Sequence, residues 1–300
     1  MRFLYSFLNW LIFLFCAPFF EGVMRRITAR VQSRKGPPLL QPYYDILKLL
    51  GKESMNSTGH RIFNAAPMIA FASISAVAVL APLGSRPGAL ASHADIITLI
   101  YLLTLGGVSV LLGALASRNT FAVIGASREM VTMIMVEPVL AMTLILGAVK
   151  AKSLMPVGAA FGAKTAGFGI SSALMLVVYL LALQAFAGRQ PFDIPEAEVE
   201  LLEGPYIEYS GPGYALFRCY IMMKRMFYAG LFIAAFVPVI RGLPYVLGLM
   251  AHLAGILVVF VIISLVGATN PRLRIDQAVK YYAVLILAAL CAVGLAAKGF

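Results

Sequence analysis

The chain has 300 residues, of which 61% are hydrophobic and only 12% are charged, and its mean hydropathy is +0.90. Soluble domains carry about 25% charged residues, so this composition excludes a water-soluble globular protein. The formal net charge of +11 does not indicate nucleic-acid binding, because no basic run is interleaved with aromatic residues.

Apolar stretches along the chain predict an all-α, polytopic membrane protein with about eight transmembrane helices in a single domain, residues 1–300. The stretches lie at about 3–23, 65–83, 96–116, 130–149, 170–187, 216–240, 246–267 and 280–297. The first stretch lacks a small-residue cleavage site and precedes a dense basic segment. We therefore interpret it as a spanning helix rather than a signal peptide.

The distribution of lysine and arginine predicts the orientation of the chain. If the N-terminus is outside, the stretches on the inner side, counted with their flanks, hold 17 of the 24 basic residues. These stretches lie at about 24–64, 117–129, 188–215 and 268–279. The asymmetry satisfies the positive-inside rule and predicts that the long loops are cytoplasmic.

The first inner stretch contains a pattern typical of an amphipathic helix that lies on the membrane surface. Apolar residues recur there at three- and four-residue spacing, at Leu39, Leu40, Tyr43, Ile46, Leu47 and Leu50. Polar residues fall between them, at Gln41, Asp45, Lys48 and Lys52. Pro42 suits an early helical turn.

A third inner stretch is acidic, with six of the thirteen acidic residues between Asp193 and Glu208. The spacing of Glu196, Glu200 and Glu203 predicts one shared helix face, and Asp193 with Glu196 fits a capping box. Two interpretations remain open. In the first, the acids have structural roles only, because they are solvated or paired with basic residues of the first inner stretch. In the second, they form a proton-conducting cluster in which neighbouring carboxyls raise one another's pKa.

Further ionisable residues lie within the predicted spans, where charge is costly and so suggests function. Glu137 lies inside the fourth span and Glu129 at its mouth, while Lys224 and Arg225 interrupt the sixth span. Snorkelling to the inner interface is an equal alternative for the two basic residues.

Two other polar sites have plainer interpretations. Glu21 and Arg25 are four residues apart in the first span and predict an ordinary ion pair. His252 in the seventh span is expected to be a hydrogen-bonded core residue rather than a metal ligand.

Cysteine spacing argues against a redox centre on this chain. The three cysteines are far apart and form no C-x-x-C pair, and the three histidines are equally scattered. We therefore expect neither an iron–sulfur cluster nor a zinc site, so that any redox centre lies on a partner chain.

Three segments resemble the NADH-dehydrogenase subunit 1 family, the membrane subunit of respiratory complex I that contacts the peripheral arm. They are RVQSRKGPPLLQPYYDILKLLGKE at 30–53, PFDIPEAEVELLEGPYIEYSG at 191–211 and PRLRIDQAVKYY at 271–282. Two further segments are FAVIGASREM at 121–130 and Glu203–Gly204–Pro205. Within the family, they resemble the corresponding segments of energy-converting nickel–iron hydrogenases, including formate hydrogenlyase.

The resemblance implies a membrane-anchor subunit that docks a peripheral redox arm and couples electron transfer to proton or sodium translocation. Implied partners are hydrogenase large and small subunits, iron–sulfur subunits and antiporter-like membrane subunits in a prokaryotic inner membrane. The nickel–iron centre and the iron–sulfur clusters would lie on those partners. This chain would bind no cofactor and would not be catalytic alone.

The resemblance also implies two sets of functional residues. The ion pathway would include Glu129, Glu137, Asp193, Glu196, Glu198, Glu200, Glu203, Glu208, Lys224 and Arg225. The interface with the peripheral arm would include Arg25, Arg26, Arg30, Arg34, Lys35, Gly36, Pro37 and Asp45. One departure stands out: where the family usually has a glutamate, five residues before the proline of PFD, this chain has Phe186.

Three alternative functions remain at this point. The first is the quinone-site subunit of a respiratory complex I, which shares the same architecture. The second is a stand-alone ion transporter, although the charges here concentrate at the inner face and no repeat is evident. The third is a purely structural anchor that takes no part in ion movement.

Overall fold

The computed structural model describes residues 2–55, 59–83, 95–153, 169–237 and 243–299. We number its α-helices in chain order. They are α1 (Arg2–Val31), α2 (Gln41–Leu50), α3 (Arg61–Leu80), α4 (Ile96–Ala116), α5 (Thr120–Ala151), α6 (Ile170–Phe186), α7 (Glu198–Leu201), α8 (Gly211–Phe236), α9 (Tyr245–Thr269) and α10 (Ile275–Ala297). A turn of 3₁₀-helix at Gly204–Tyr206 lies between α7 and α8.

Seven of the described helices, namely α1, α3, α4, α5, α8, α9 and α10, are long and apolar enough to cross a membrane, and α6 is a shorter apolar helix. The predicted polytopic all-α fold is therefore confirmed. Most residues of α8 are buried, whereas the other long helices expose much of their apolar surface. Helix α8 thus forms the centre of the bundle, and the outer helices present leucine, isoleucine and valine side chains to lipid.

The amphipathic helix is present as α2, with Pro42 at its second residue. It is fastened to α1 by two contacts: the hydroxyl of Tyr43 donates a hydrogen bond to the carbonyl of Phe15, and Arg25 pairs with Asp45 at 3.0 Å. Gly22 of α1 allows this close approach, because a Cβ atom there would collide with the carbonyl oxygen of Leu39.

The prediction of a loop at 117–129 was wrong, because α5 begins at Thr120 and runs for 32 residues. Only a short turn precedes it. Asn119 caps the helix, since its side-chain oxygen accepts a hydrogen bond from the backbone N–H of Phe121 at 2.8 Å. The charges of Arg128 and Glu129 lowered the hydropathy of this segment without breaking the helix.

The predicted helix through the acidic stretch was also wrong. Helix α7 spans only Glu198–Leu201, so that Asp193 and Glu196 precede it and do not form a capping box. Glu203 follows it with a left-handed backbone, φ 77°. Prolines on both sides limit the helix, because proline removes a backbone donor and obstructs the preceding turn. The glutamates therefore point to different surroundings.

Candidate functional site

A cavity of about 80 Å³ lies where α5, α6 and α8 meet the loop at 187–210, which we call the acidic loop. Six of the ten predicted pathway residues line it: Glu129 and Glu137 from α5, Asp193 and Glu196 from the acidic loop, and Lys224 and Arg225 from α8. We call this space the central cavity. It connects the loop at one end of the bundle with ionisable residues inside the membrane-spanning helices.

The inner part of the central cavity contains one basic and two acidic side chains. Lys224 interacts electrostatically with both Glu129 and Glu137. Its ammonium lies 5.6 Å from the centroid of the Tyr220 ring, close enough for a cation–π contact. Glu137 also accepts a hydrogen bond from the hydroxyl of Thr104 at 3.2 Å. Lys224 thus lies beside acids, and it offsets part of the cost of placing carboxylates here.

Two buried polar atoms of the cavity wall have no hydrogen-bond partner among the described residues. They are the hydroxyl of Tyr282 and the Oδ1 atom of Asp193. Buried polar groups are almost always satisfied, and ordered water satisfies those that protein atoms do not. The wall of the central cavity is therefore suited to hold water between the acidic loop and Glu137.

Phe186 occupies the position of the glutamate that the family usually has, and its side chain lines the central cavity. It is 4% exposed and stacks on Tyr228, with ring centroids 4.9 Å apart. It also contacts Tyr179 at a centroid distance of 5.1 Å. This part of the wall is thus aromatic and carries no carboxyl at residue 186.

Asp193 marks the outer boundary of the central cavity. Its Oδ2 atom accepts a hydrogen bond from Arg272 at 3.0 Å. Burial raises the pKa of Asp193 to about 6, and the nearby carboxylate of Glu196 adds to this effect while Arg272 opposes it. Asp193 also lines a second cavity of about 280 Å³ beside α1 and α9. It can therefore exchange a proton near neutral pH at the boundary between two cavities.

Sequence reasoning missed the importance of Glu21, which is 1% exposed within α1. The predicted contact with Arg25 is confirmed at 3.5 Å, but Glu21 also pairs with Arg225 at 3.0 Å and with Arg189. The Nε atom of Arg225 donates to the carbonyl of Ala187 at 2.6 Å. One carboxylate thus joins three guanidinium groups from α1, the acidic loop and α8. The sequence did contain a signal for this cluster, because Glu21 is an acidic residue within an apolar segment.

Three other predicted pathway acids, Glu200, Glu203 and Glu208, do not line the central cavity. Glu200 is exposed and pairs with Arg128 at 2.7 Å, and the hydrogen bond from that guanidinium lowers the pKa of Glu200. Glu203 accepts a hydrogen bond from the Tyr214 hydroxyl at 2.7 Å. Glu208 accepts one from Asn119 at 2.6 Å, and the side chain of Glu198 lies outside the described part of the structure. The contacts of these acids fasten the acidic loop to α5 and α8.

The predicted interface residues divide into two groups. Arg25 and Asp45 contact each other and the Glu21 cluster, so they hold α1 and α2 together. The other six line a separate cleft of about 570 Å³ between the end of α1 and the start of α2. We call it the basic cleft; its basic residues are Arg26, Arg30, Arg34 and Lys35.

The histidine prediction concerned His252, which is 1% exposed in the core of α9. The predicted core position is therefore confirmed, but its Nε2 atom has no hydrogen-bond partner among the described residues. Within the described ranges, no group of three or more histidine, cysteine, aspartate or glutamate residues is arranged to hold a metal ion.

The chain matches the NADH dehydrogenase family over residues 5–297. It is 37% identical to hydrogenase-4 component C of Escherichia coli (strain K12), covering 88% of this chain and 86% of that protein. It is 31% identical to formate hydrogenlyase subunit 4 of the same organism, covering 92% of each. It is also 31% identical to a subunit of the NADH-quinone oxidoreductase of Brevibacillus brevis (strain 47 / JCM 6285 / NBRC 100599), covering 86% of this chain and 80% of that protein.

Among solved structures, the chain is similar to one from the membrane-bound sulfane sulfur reductase, an archaeal respiratory membrane complex. The TM-score is 0.85 at 30% identity, and the match covers 98% of this chain and 99% of that chain. These relatives are thus subunits of membrane redox complexes, matched over most of their length. The chain belongs to the NADH dehydrogenase subunit 1 family.

Proposed function

We propose that this chain is the membrane-anchor subunit of an energy-converting nickel–iron hydrogenase complex, in which it couples electron transfer to the movement of protons or sodium ions. The carrying observation is the central cavity, which places Asp193, Glu196, Glu129, Lys224 and Glu137 along one connected space. The identity to hydrogenase-4 component C supports the hydrogenase branch.

The coupling would depend on electrostatics along this space. A change of charge at a redox centre above the acidic loop would alter the proton affinity of Asp193 first, because Asp193 belongs to that loop and lines the cavity. Proton uptake there changes the field at Glu129 and Lys224, and then at Glu137. Inside a protein such charges interact more strongly than in water, so a change at one end is felt at the other.

The docking surface for the redox arm would be the end of the bundle that carries the acidic loop. Ion pairs join this loop to the start of α5 through Arg128 and to the start of α10 through Arg272. The implied partners are the hydrogenase large and small subunits and the iron–sulfur subunits, which would carry the nickel–iron centre and the clusters. Antiporter-like subunits would contact the bundle laterally. The positive-inside rule supports a cytoplasmic position for this end and an N-terminus outside.

The test is Glu137→Gln in the intact complex, purified and reconstituted into vesicles. Ion translocation is measured at matched rates of hydrogen turnover. We expect translocation to be lost while turnover continues, because a neutral amide cannot carry the exchangeable proton. Glu53→Gln is the matched control, since Glu53 is exposed and does not line the cavity. Unchanged translocation in Glu137→Gln would favour the purely structural anchor.

A second candidate is the quinone-site subunit of a respiratory complex I. The observation in its favour is the 31% identity to a subunit of an NADH-quinone oxidoreductase. The two candidates predict different partners, so purification through a tag on this chain separates them. Nickel and iron with hydrogenase-type subunits support the first candidate, whereas iron without nickel, together with a flavin subunit and bound quinone, supports the second.

A further inference from the structure

The basic cleft carries a group of positive charges that play no part in the proposed ion pathway. Arg26 and Arg30 of α1 and Arg34 and Lys35 of the following segment supply four positive charges, and no acidic side chain lines the cleft. None of these four residues forms an ion pair with a described residue. The nearest acids on these elements are already engaged, since Arg25 pairs with both Glu21 and Asp45. The cleft therefore presents uncompensated positive charge.

The cleft adjoins the apolar face of α2. Leu40 and Tyr44, which are 50% and 58% exposed, line the cleft itself. Leu47 continues the same face at 65% exposure. Such a row of large apolar side chains is typical of a helix that lies on a membrane with this face against the acyl chains. The positive charges thus meet an apolar surface along one edge.

The length of α1 places the arginines at the level of lipid headgroups. Its 30 residues span about 45 Å, which exceeds a hydrocarbon core of about 30 Å. Arg26 and Arg30 are in its last two turns, four residues apart and on one side of the helix. Guanidinium groups bind phosphate oxygens in a bidentate manner, so this pair suits a single phosphate.

We propose that the basic cleft binds the headgroup of an anionic phospholipid, with Arg26 and Arg30 on the phosphate and with Leu40 and Tyr44 against the acyl chains. A phospholipid matches both parts of the site, because its phosphate is negatively charged and its acyl chains are apolar. The predicted contact with the peripheral arm is the alternative for these basic residues, but an acidic protein surface would match the charge and leave Leu40 and Tyr44 uncovered. This proposal concerns a different surface from the central cavity and goes beyond the proposed function.

The test measures lipid binding to the complex purified through a tag on this chain. The delipidated complex is titrated with short-chain phosphatidylglycerol, short-chain phosphatidylcholine or glycerol phosphate, and bound lipid is counted by native mass spectrometry. The variant is Arg26→Gln/Arg30→Gln. Its matched control is Arg61→Gln/Arg118→Gln, which removes two exposed arginines that do not line the cleft.

We expect phosphatidylglycerol to bind in preference to phosphatidylcholine and glycerol phosphate. Each arginine beside an anionic lipid surface contributes roughly fivefold in affinity, so the cleft variant should bind phosphatidylglycerol about 30-fold more weakly than the control. Equal binding in variant and control would overturn the proposal. So would glycerol phosphate binding as tightly as the lipid, or loss of a peripheral subunit from the variant with lipid binding unchanged, because the cleft would then be a protein interface.

Discussion

Glu21→Gln is the substitution whose consequence follows most directly from the structure. It removes the one carboxylate shared by Arg25, Arg189 and Arg225. Arg25 keeps Asp45 as a partner, but the side chain of Arg225 is only 4% exposed and loses its charge partner within the described structure. Breaking a buried ion pair by removal of one member costs about 3–5 kcal/mol, because the remaining charge is buried and uncompensated.

The measurement is the thermal midpoint of the solubilised complex, followed by fluorescence-detected size-exclusion chromatography. At roughly 2–4 °C per kcal/mol, the midpoint should fall by at least about 6 °C. Asp45→Asn is the control: it removes an exposed partner of Arg25, and exposed pairs contribute no more than about 1 kcal/mol. The double variant Glu21→Leu/Arg225→Met should recover much of the loss, since apolar residues of similar volume replace a buried pair with little net cost. A single variant as stable as the control would refute the argument.

Two further predictions concern the acidic loop and its packing. The carboxyl of Asp193 should titrate near pH 6, since burial raises its pKa to about 6 from 3.8. The native state then binds this proton more tightly than the unfolded chain, so the group's stabilising contribution is full below about pH 4 and is lost as the pH rises to 6. Infrared difference spectra of wild type and Asp193→Asn measure this, and a midpoint below pH 5 would contradict it. Gly125→Ala should lower the free energy of unfolding by about 1–3 kcal/mol, because its Cβ would lie 2.8 Å from both Gly204 Cα and Pro205 Cδ. Gly294→Ala is the control, because its Cβ meets nothing within 4 Å, and it should be neutral or stabilising by up to about 1 kcal/mol. Equal thermal midpoints for the two variants would contradict the prediction, because the contact between Gly125 and Gly204 would then relax without cost.

The Glu21 cluster and the central cavity share one residue, because Arg225 pairs with Glu21 and also lines the cavity. Its guanidinium holds α1, α8 and the acidic loop together through Glu21 and the carbonyl of Ala187. The packing that stabilises this end of the bundle therefore also fixes one wall of the candidate ion pathway. A substitution in the cluster is expected to affect both stability and coupling.

Predictions that depend on local composition agreed with the structure. Apolar stretches long enough for a bilayer predict helices, because a chain in hydrocarbon must satisfy its backbone hydrogen bonds internally. The surface helix could be predicted in the same way, since its apolar residues recur at helical spacing and Pro42 suits an early turn. Glu129, Glu137, Lys224 and the loop acid Asp193 could be selected by charge alone and prove to line one cavity.

Predictions failed where contacts distant in sequence decide the conformation. Spacing suggested one helical face for three glutamates, yet the acidic loop folds around the approach of Gly204 to Gly125, and its helix has only four residues. The sequence predicted a span that starts only at residue 130, but α5 begins at Thr120 and continues through Arg128, which pairs with Glu200 at 2.7 Å.

Sequence alone predicted that the chain spans a membrane, where most of its long helices lie and which charged residues are unusual, because hydropathy and helical periodicity depend on neighbouring residues. Which charges pair depended on the tertiary structure. Glu21 and Arg225 are 204 residues apart, and no local pattern relates them. The packing of α1, α8 and the acidic loop brings them within 3.0 Å in a buried site, where a charge without a partner would be too costly to keep.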